Sequence, residues 1–169
     1  PRTFSSAASD VYKRQNLSRY VKNKNKSKLE TLQNKSLELS LFLSLPATLA
    51  LIFASEEIVS ALFGYGSFNE ESVKNSSRAL FYFALGLPAF SMIKIFSSFI
   101  FARNDTKTPF YFSLISVILN IVISVSLFSK LGFIIIPIAT SISSWLNGLL
   151  LMIFVLNKNY FNFNDSFFI

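Results

Sequence analysis

Four long apolar stretches constrain the fold of this chain more than any other feature of its sequence. They cover residues 37–62, 79–102, 110–129 and 131–156. Each is near or above the roughly 18 to 20 residues that a bilayer-spanning helix requires. The third, FYFSLISVILNIVISVSLFS, contains no charged residue, whereas a helix of a soluble bundle would carry a charged face opposite its apolar stripe. The pattern predicts an all-α, polytopic membrane bundle of four transmembrane helices.

Composition agrees with this class and narrows the chemistry. Charged residues make up 15% of the 169 residues, against about 25% in soluble proteins. The chain has no Cys and no His, which excludes disulfides, thiol nucleophiles, zinc sites and every Ser-His or Cys-His catalytic arrangement. We therefore expect no enzymatic activity and no cofactor.

The distribution of cations predicts the orientation in the membrane. Arg103 and Lys107 lie between the second and third stretches, and Lys158 follows the fourth. The basic residues before the first stretch are Arg19, Lys22, Lys24, Lys26, Lys28 and Lys35. The opposite side is more acidic, with Glu56, Glu57, Glu70 and Glu71 set beside Lys74, Arg78 and Lys130. By the positive-inside rule, both ends of the four-span region are cytoplasmic.

The segments outside the spans are interpreted separately. Residues 5–15, SSAASDVYKRQ, can be reverse-translated without interruption into a transposase sequencing-library adapter, so residues 1–15 are treated as non-native. Residues 16–36 are basic and predict a cytoplasmic interfacial helix that continues into the first span. A nucleic-acid arm is the alternative, but Tyr20 is the only aromatic residue there, so no nucleic-acid partner is expected. Residues 162–169 form a truncated tail after the four-span region, 37–161.

Lys94 is the one charged residue inside the second apolar stretch. It lies nine positions before Arg103, or about 13 Å from the cytoplasmic end of the helix. An unpaired lysine at mid-membrane costs roughly 2.5 to 3.5 kcal/mol. We expect Lys94 to face a wet cavity that receives an anionic substrate, or to pair with a helix outside this sequence.

Proline residues punctuate three of the four stretches, and a polar turn joins the second to the third. Pro46, Pro88 and Pro137 each remove a backbone hydrogen bond and favour a bend. In the turn ARNDTKTPF, Thr108 is the expected N-cap, and Pro109 the expected first helical residue. The turn predicts a tight helical hairpin at the membrane surface.

These segments, in this order, resemble the MurJ (MviN) family of bacterial lipid II flippases. The resemblance covers nearly all of residues 16–161, and motif order, loop lengths and topology agree. The matching motif residues are Leu62, Phe63, Gly66, Phe68, Gly86, Leu87, Pro88, Lys94, Asp105, Lys107, Thr108 and Pro109.

The resemblance implies an exporter of the multidrug/oligosaccharidyl-lipid/polysaccharide class with fourteen spans, of which this chain holds spans nine to twelve. It implies translocation of the undecaprenyl-pyrophosphate-linked peptidoglycan precursor across the bacterial cytoplasmic membrane by alternating access. The expected partners are that lipid-linked substrate, membrane lipids and the missing N-terminal lobe of the same protein. Lys94 would then help to attract the pyrophosphate.

Some members of the family hold a sodium ion at positions that match Asn120, Ser124, Ile136 and Thr140. Ser124 replaces an aspartate of that set, so a hard cation loses a charged ligand here. The alternative for Asn120 and for Asn147 is hydrogen bonding between helices.

Two other functions stay open at this point. A sister exporter could carry a different polyprenyl-linked sugar, such as an O-antigen unit, although the DTKTP turn favours the MurJ family. A stand-alone four-helix scaffold subunit of a membrane assembly is the second alternative.

Overall fold

The computed structural model describes residues 26–160, with side chains from Leu29 onward. Every regular element in this part of the chain is helical, so the all-α class is confirmed. The helices are α1 (Lys26–Phe53), α2 (Ser55–Phe63), α3 (Glu70–Ala84), α4 (Leu87–Phe101), α5 (Lys107–Leu131) and α6 (Ile135–Asn157), with a 3-10 turn (Gly132–Ile134) before α6. The adapter-like residues 1–15, the first part of the basic segment and the tail 162–169 lie outside the described residues.

Three stretches of the described chain are long and apolar enough to cross a membrane, where the sequence pattern predicts four. They are Leu29–Phe53, Glu70–Phe101 and Lys107–Asn157. The last has 51 residues and would measure about 76 Å as one straight helix, more than twice the roughly 30 Å of a bilayer core. It is divided at Gly132, whose φ of 62° ends α5. The structure therefore gives three stretches instead of four because α5 and α6 follow each other with almost no loop and are taken together as one stretch.

The first predicted span has different helix boundaries in the structure. α1 runs without interruption from Lys26 to Phe53, so the described part of the basic segment and the apolar segment belong to one helix. The helix then breaks at Ala54 (φ −110°, ψ 20°), and α2 begins at Ser55. Glu56 and Glu57 occupy the first turn of α2, where negative charge favours a helix start. Residues 37–62 are thus two helices and not one.

The three prolines occupy different helical positions. Pro88 lies at the start of α4, directly after the break that separates α3 from α4. Pro137 is in the first turn of α6, where its missing N–H leaves no helical bond unmade. Pro46 lies inside α1, which continues past it. Only Pro88 coincides with a break between helices.

The turn between α2 and α3 has a conformation that glycine permits. Gly66 has a φ of 68°, in the left-handed region that other residues rarely adopt. The rings of Phe63 and Phe68 pack with centroids 6.2 Å apart across the turn. The side chain of Asn69 then caps α3 by accepting the Ser72 N–H at 2.9 Å. The Gly66 and Phe68 motif residues thus shape the entry into α3.

One buried apolar cluster joins α1, α4 and α6, while the remaining surface is itself largely apolar. The cluster consists of Leu29, Leu37, Phe96, Phe99, Ile100, Leu151 and Val155. Outside it, Phe42 is 71% exposed, Phe53 81% and Val125 74%. Exposed apolar area of this extent marks a surface covered by lipid or by other protein.

Candidate functional site

Amide and hydroxyl side chains fill the interface between α5 and α6, and we name this set the polar seam. Residues spaced three, four and seven apart share one face of a helix, and both helices place polar residues at that spacing. The seam consists of Ser113, Ser116, Asn120 and Ser124 on α5, and Thr140, Ser143, Ser144 and Asn147 on α6. Hydrogen bonds join Asn120 to Thr140 and Asn147 to Ser113. Because the residue number falls on α5 as it rises on α6, the two helices are antiparallel.

Asn120 is the centre of the seam. Its Nδ2 donates to Thr140 Oγ1 at 3.0 Å and to Ser143 Oγ at 3.3 Å. Its Oδ1 accepts the Ser124 hydroxyl at 3.5 Å. Thr140 Oγ1 donates in turn to the Ile136 carbonyl at 2.8 Å. The four residues predicted as sodium ligands, Asn120, Ser124, Ile136 and Thr140, are therefore brought together in one hydrogen-bonded group.

The chemistry of this group is neutral. Residues 26–160 contain no cluster of three or more His, Cys, Asp or Glu side chains that could hold a metal ion. The oxygens of the four predicted ligands belong to one amide, two hydroxyls and one backbone carbonyl, a set that lacks the carboxylate expected of a strong hard-cation site. The observed bonds link the two helices, which is the alternative expected for Asn120.

An open groove runs along the seam between α5, α6 and α4. Its volume is about 390 Å³. Phe90 and Ile93 of α4 form its apolar side, and seam residues form its polar side. Asn147 is 7% exposed, and its Oδ1 has no hydrogen-bond partner in the structure. The groove thus presents one buried, unsatisfied acceptor.

Lys94 lies beside this groove without lining it. The residue is on α4, next to Ile93, and is exposed. Its backbone carbonyl accepts the Ser98 hydroxyl at 2.8 Å. That Lys94 faces a cavity which receives the substrate therefore stays a prediction.

The turn before α5 is capped by a different residue from the one that the sequence predicts. The carboxylate of Asp105 accepts the backbone N–H groups of Lys107 and Thr108, each at 3.1 Å, and the Thr108 hydroxyl at 2.7 Å. Asp105 is thus the capping side chain, and the prediction of Thr108 as N-cap was wrong. α5 starts at Lys107, so Pro109 is the third helical residue and not the first. The bonds from Thr108 are the main cause that lowers the pKa of Asp105.

Arg103 joins the end of α4 to the residues that follow α6, a contact that no local pattern in the sequence predicts. Its guanidinium donates to the Phe99 carbonyl at 2.7 Å and to the Tyr160 carbonyl at 2.8 Å. It also lies over the Tyr160 ring, 4.2 Å from the centroid, within the range of a cation–π contact. Burial lowers the pKa of Arg103, an effect that Tyr160 partly opposes. The distribution of charge predicts only that Arg103 helps to determine the orientation in the membrane.

Ser113, Ser116, Ser143 and Ser144 were not predicted as members of the seam, whereas Asn147 was expected to form a hydrogen bond between helices and does so with Ser113. The signal was present, because Thr140, Ser143, Ser144 and Asn147 follow the spacing of one helix face. It was hidden by the strongly apolar residues between them. The pairing with α5 becomes visible only once the two helices are known to pack antiparallel.

Long apolar helices, an exposed apolar surface and a polar interface between two of the helices define a polytopic α-helical membrane protein. The sequence matches the family described as "Lipid II flippase MurJ" over residues 15–167. The chain therefore belongs to the MurJ family, as its motifs predicted.

Individual relatives agree with this assignment. A protein of Rhizobium meliloti named "Probable lipid II flippase MurJ" is 43% identical over 135 residues, which are 80% of this chain and 25% of that protein. Its namesake in Rickettsia prowazekii is 39% identical over 122 residues, 72% of this chain and 24% of that protein. The chain thus spans about a quarter of the length of these curated relatives.

A solved structure shares the fold. It is titled "Lipid II flippase MurJ, inward closed conformation", and it superposes with a TM-score of 0.75 at 27% identity. The match covers 88% of this chain and 32% of that structure. The helical arrangement described above is therefore that of one part of a larger membrane protein.

Proposed function

We propose that this chain is a segment of a lipid II flippase of the bacterial cytoplasmic membrane. The observation that carries the proposal is the family match over residues 15–167, supported by the agreement in fold. The segment corresponds to spans nine to twelve, in the second lobe. The protein moves the lipid-linked peptidoglycan precursor between leaflets without changing its covalent structure.

The distribution of charge supports one orientation. Arg103, Asp105 and Lys107 lie at the start of α5, and Lys158 lies directly after α6. The other end of the bundle carries Glu56, Glu57, Glu70 and Glu71 in the first turns of α2 and α3. The positive-inside rule places the end with Arg103 in the cytoplasm.

Lys94 is the residue of this segment that we assign to the substrate. It is exposed on α4, and an ammonium group inside a membrane is tolerated where it meets water or an anion. The pyrophosphate of the substrate is such an anion. The remaining wall of the transport cavity belongs to parts of the protein outside this sequence.

The test uses the full-length protein that contains this segment, reconstituted in vesicles with labelled lipid II. Lys94→Ala should slow translocation about tenfold, because a charge-assisted contact contributes roughly 1.5 to 3 kcal/mol, whereas Lys94→Arg should retain most of the rate. Lys130→Ala, in the last turn of α5, is the matched control and should leave the rate unchanged. An unaltered rate in Lys94→Ala would remove Lys94 from the substrate path.

The same assay tests the assignment of the substrate and the need for the rest of the protein. Translocation of another polyprenyl-linked sugar in place of lipid II would favour the sister exporters. Residues 16–169 alone should not translocate lipid II, since they supply only one side of a cavity. Translocation by this segment alone would contradict the proposal.

The seam supports a finer proposal about ions. We infer that Asn120, Ser124, Ile136 and Thr140 form the remnant of a sodium site that lacks its charged ligand. Ser124→Asp should restore it, so that sodium raises the melting temperature of the variant by a few degrees over choline. Ser126→Asp, on the exposed side of α5, is the control for an added carboxylate. A sodium effect of equal size in both variants would show that the site has no role in it.

A further inference from the structure

The break between α3 and α4 leaves backbone carbonyls without their regular helical donors. Gly86 N–H donates to the Phe83 carbonyl at 3.0 Å, three residues back, so it does not reach the Tyr82 carbonyl as a continuous α-helix requires. Pro88 has no N–H for the carbonyl of Ala84. Within a membrane each unsatisfied carbonyl costs several kcal/mol. The break therefore needs donors from elsewhere.

Two side chains of α6 donate to carbonyls at this break, those of Tyr82 and Leu85, and we name Ser141 and Trp145 the donor pair. Ser141 Oγ donates to the Tyr82 carbonyl in a short hydrogen bond. Trp145 Nε1 donates to the Leu85 carbonyl at 3.0 Å. Because the two residues are four apart, they lie one above the other on the same face of α6. α6 thus bonds both the last turn of α3 and the break itself.

Gly86 permits this approach. A Cβ at position 86 would lie 3.1 Å from Ser141 Oγ and 3.1 Å from the ring of Phe90, closer than ordinary van der Waals contact. The absence of a side chain at Gly86 therefore allows α6 to reach the break. This gives Gly86 a packing role in addition to its place in the motif.

The two members of the donor pair differ in what they can do when the break moves. A serine hydroxyl in a helix can instead donate to a carbonyl three or four residues earlier in its own helix. The other hydroxyl residues of α6 do so: Thr140 donates to Ile136, Ser143 to Thr140 and Ser144 to Ser141. Ser141 is the exception, because it donates to α3. The indole N–H of Trp145 has no corresponding carbonyl of α6 within its reach.

We propose that residues 85–88 form a hinge between α3 and α4, with Trp145 as its fixed tether and Ser141 as its releasable one. Release of Ser141 to its own helix lets α3 pivot against α4 while the Leu85 carbonyl stays bonded. The hinge would change the direction of α4, and hence of Lys94, relative to α6. That use in transport rests on the proposed function, but the hinge itself does not.

The test measures the hinge without measuring transport, so its outcome is independent of the flippase proposal. Trp145 is the only tryptophan of the chain, and its emission reports the tether directly. The 169-residue chain in lipid nanodiscs is compared with Ser141→Ala, Gly86→Ala and Ser144→Ala. Hydrogen exchange is followed for the amides of residues 83–90.

Loss of the Ser141 bond should speed exchange at residues 83–90 about fivefold, since one hydrogen bond of this kind contributes about 1 kcal/mol. It should also shift the emission of Trp145. Gly86→Ala should have the same effect, and the double variant should add little, because both changes remove the same bond. Ser144→Ala should change neither signal, since Ser144 donates within its own helix.

Two outcomes would overturn the proposal. One is unchanged exchange in Ser141→Ala, and the other is an equal increase in Ser144→Ala. If Ser141→Ala fails to assemble, Ser141→Thr, which keeps the hydroxyl, replaces it. Normal exchange in Ser141→Thr supports the hydrogen bond, and exchange raised about fivefold in that variant contradicts it.

Discussion

Two of the interfaces that α6 forms with its neighbours have opposite chemistry. Towards α1 and α4 it presents Leu151 and Val155, which belong to the buried apolar cluster with Phe96 and Phe99. Towards α5 it presents the polar seam, in which Thr140 and Ser143 both accept from Asn120. One helix thus joins an apolar interface near one end to a polar interface along its middle.

The difference matters because the hydrophobic effect contributes little inside a membrane. Lipid tails are as apolar as leucine, so helices associate through close packing and hydrogen bonds. The apolar cluster can stabilise the bundle only by filling space well. The seam can stabilise it only where its polar atoms find partners.

Among the substitutions that compare the two interfaces, Phe99→Ala should destabilise the chain most. Phe99 is 1% exposed and packs edge-on against Phe96 with centroids 6.0 Å apart. Truncation leaves a cavity, and we expect a loss of about 3 kcal/mol, the lower end of the range for buried phenylalanine. The measurement is unfolding of the chain in mixed micelles by increasing SDS. Phe42→Ala, at a position 71% exposed, is the control, and equal losses in both would show that the cluster does not pack as described.

Asn120→Leu tests the polar interface and should cost less. The substitution removes two donated bonds and leaves Thr140 and Ser143 without their donor. Hydrogen bonds between membrane helices contribute about 1 to 2 kcal/mol at most, so we expect a loss of about 1.5 kcal/mol in the same titration. Ile118→Leu, at an exposed position on α5, is the control. A loss as large as that of Phe99→Ala would mean that the seam dominates the stability of the bundle.

The sequence allowed the class of fold to be predicted, because membrane helices have a strong local signal in their length and composition. The break at Ala54 was not predicted inside its apolar stretch, whereas the break at residues 85–86 coincides with the bend expected at Pro88. Apolar length does not report whether a stretch is one helix or two. The break before Pro88 also depends on Ser141 and Trp145, which are distant in the sequence, and a local pattern cannot contain such contacts.

The candidate site was predicted only in part, because its hydrogen bonds also join residues that are distant in the sequence. Asn120, Ser124, Ile136 and Thr140 were identified by family resemblance, and they do lie together. Their hydrogen bonds to one another, and the extension of the seam to Ser113 and Asn147, required the antiparallel packing of α5 on α6. The capping role of Asp105 was locally encoded, but an aspartate followed by two threonines offers more than one N-cap.

Asp105→Ala addresses the turn between α4 and α5, and its effect on stability should be smaller again. Loss of a capping side chain costs roughly 0.5 to 1 kcal/mol, whereas Asp105→Asn should retain most of the cap through its amide oxygen. Because the folded state lowers the pKa of Asp105, its contribution is present above the unfolded value of about 3.9 and is lost as the pH falls through the folded one. Asp105→Asn should therefore flatten the acid limb of stability against pH, and an unchanged limb would exclude Asp105 as its source.

Asn147→Leu should have the smallest effect on the stability of the chain. The sign of that effect shows whether the amide of Asn147 stabilises the seam. Asn147 is about as deeply buried as Ser116, Ser143 and Ser144, but its only described bond is a long one of 3.4 Å from Nδ2 to Ser113, and its Oδ1 has no partner in the structure. Removing an amide that is buried and mostly unsatisfied recovers the cost of desolvating it. We expect Asn147→Leu to leave the stability of the chain within about 0.5 kcal/mol of the original or to raise it.

The contrast with Asn120→Leu is the decisive measurement, because the two asparagines share a seam and differ in their partners. A loss in Asn147→Leu equal to that in Asn120→Leu would mean that the Oδ1 of Asn147 is satisfied in the membrane by a group that enters the groove. Repeating the pair of substitutions in the full-length protein identifies that group's origin. A cost that appears only there would assign the partner to the rest of the protein, since the groove is open and has a volume of about 390 Å³.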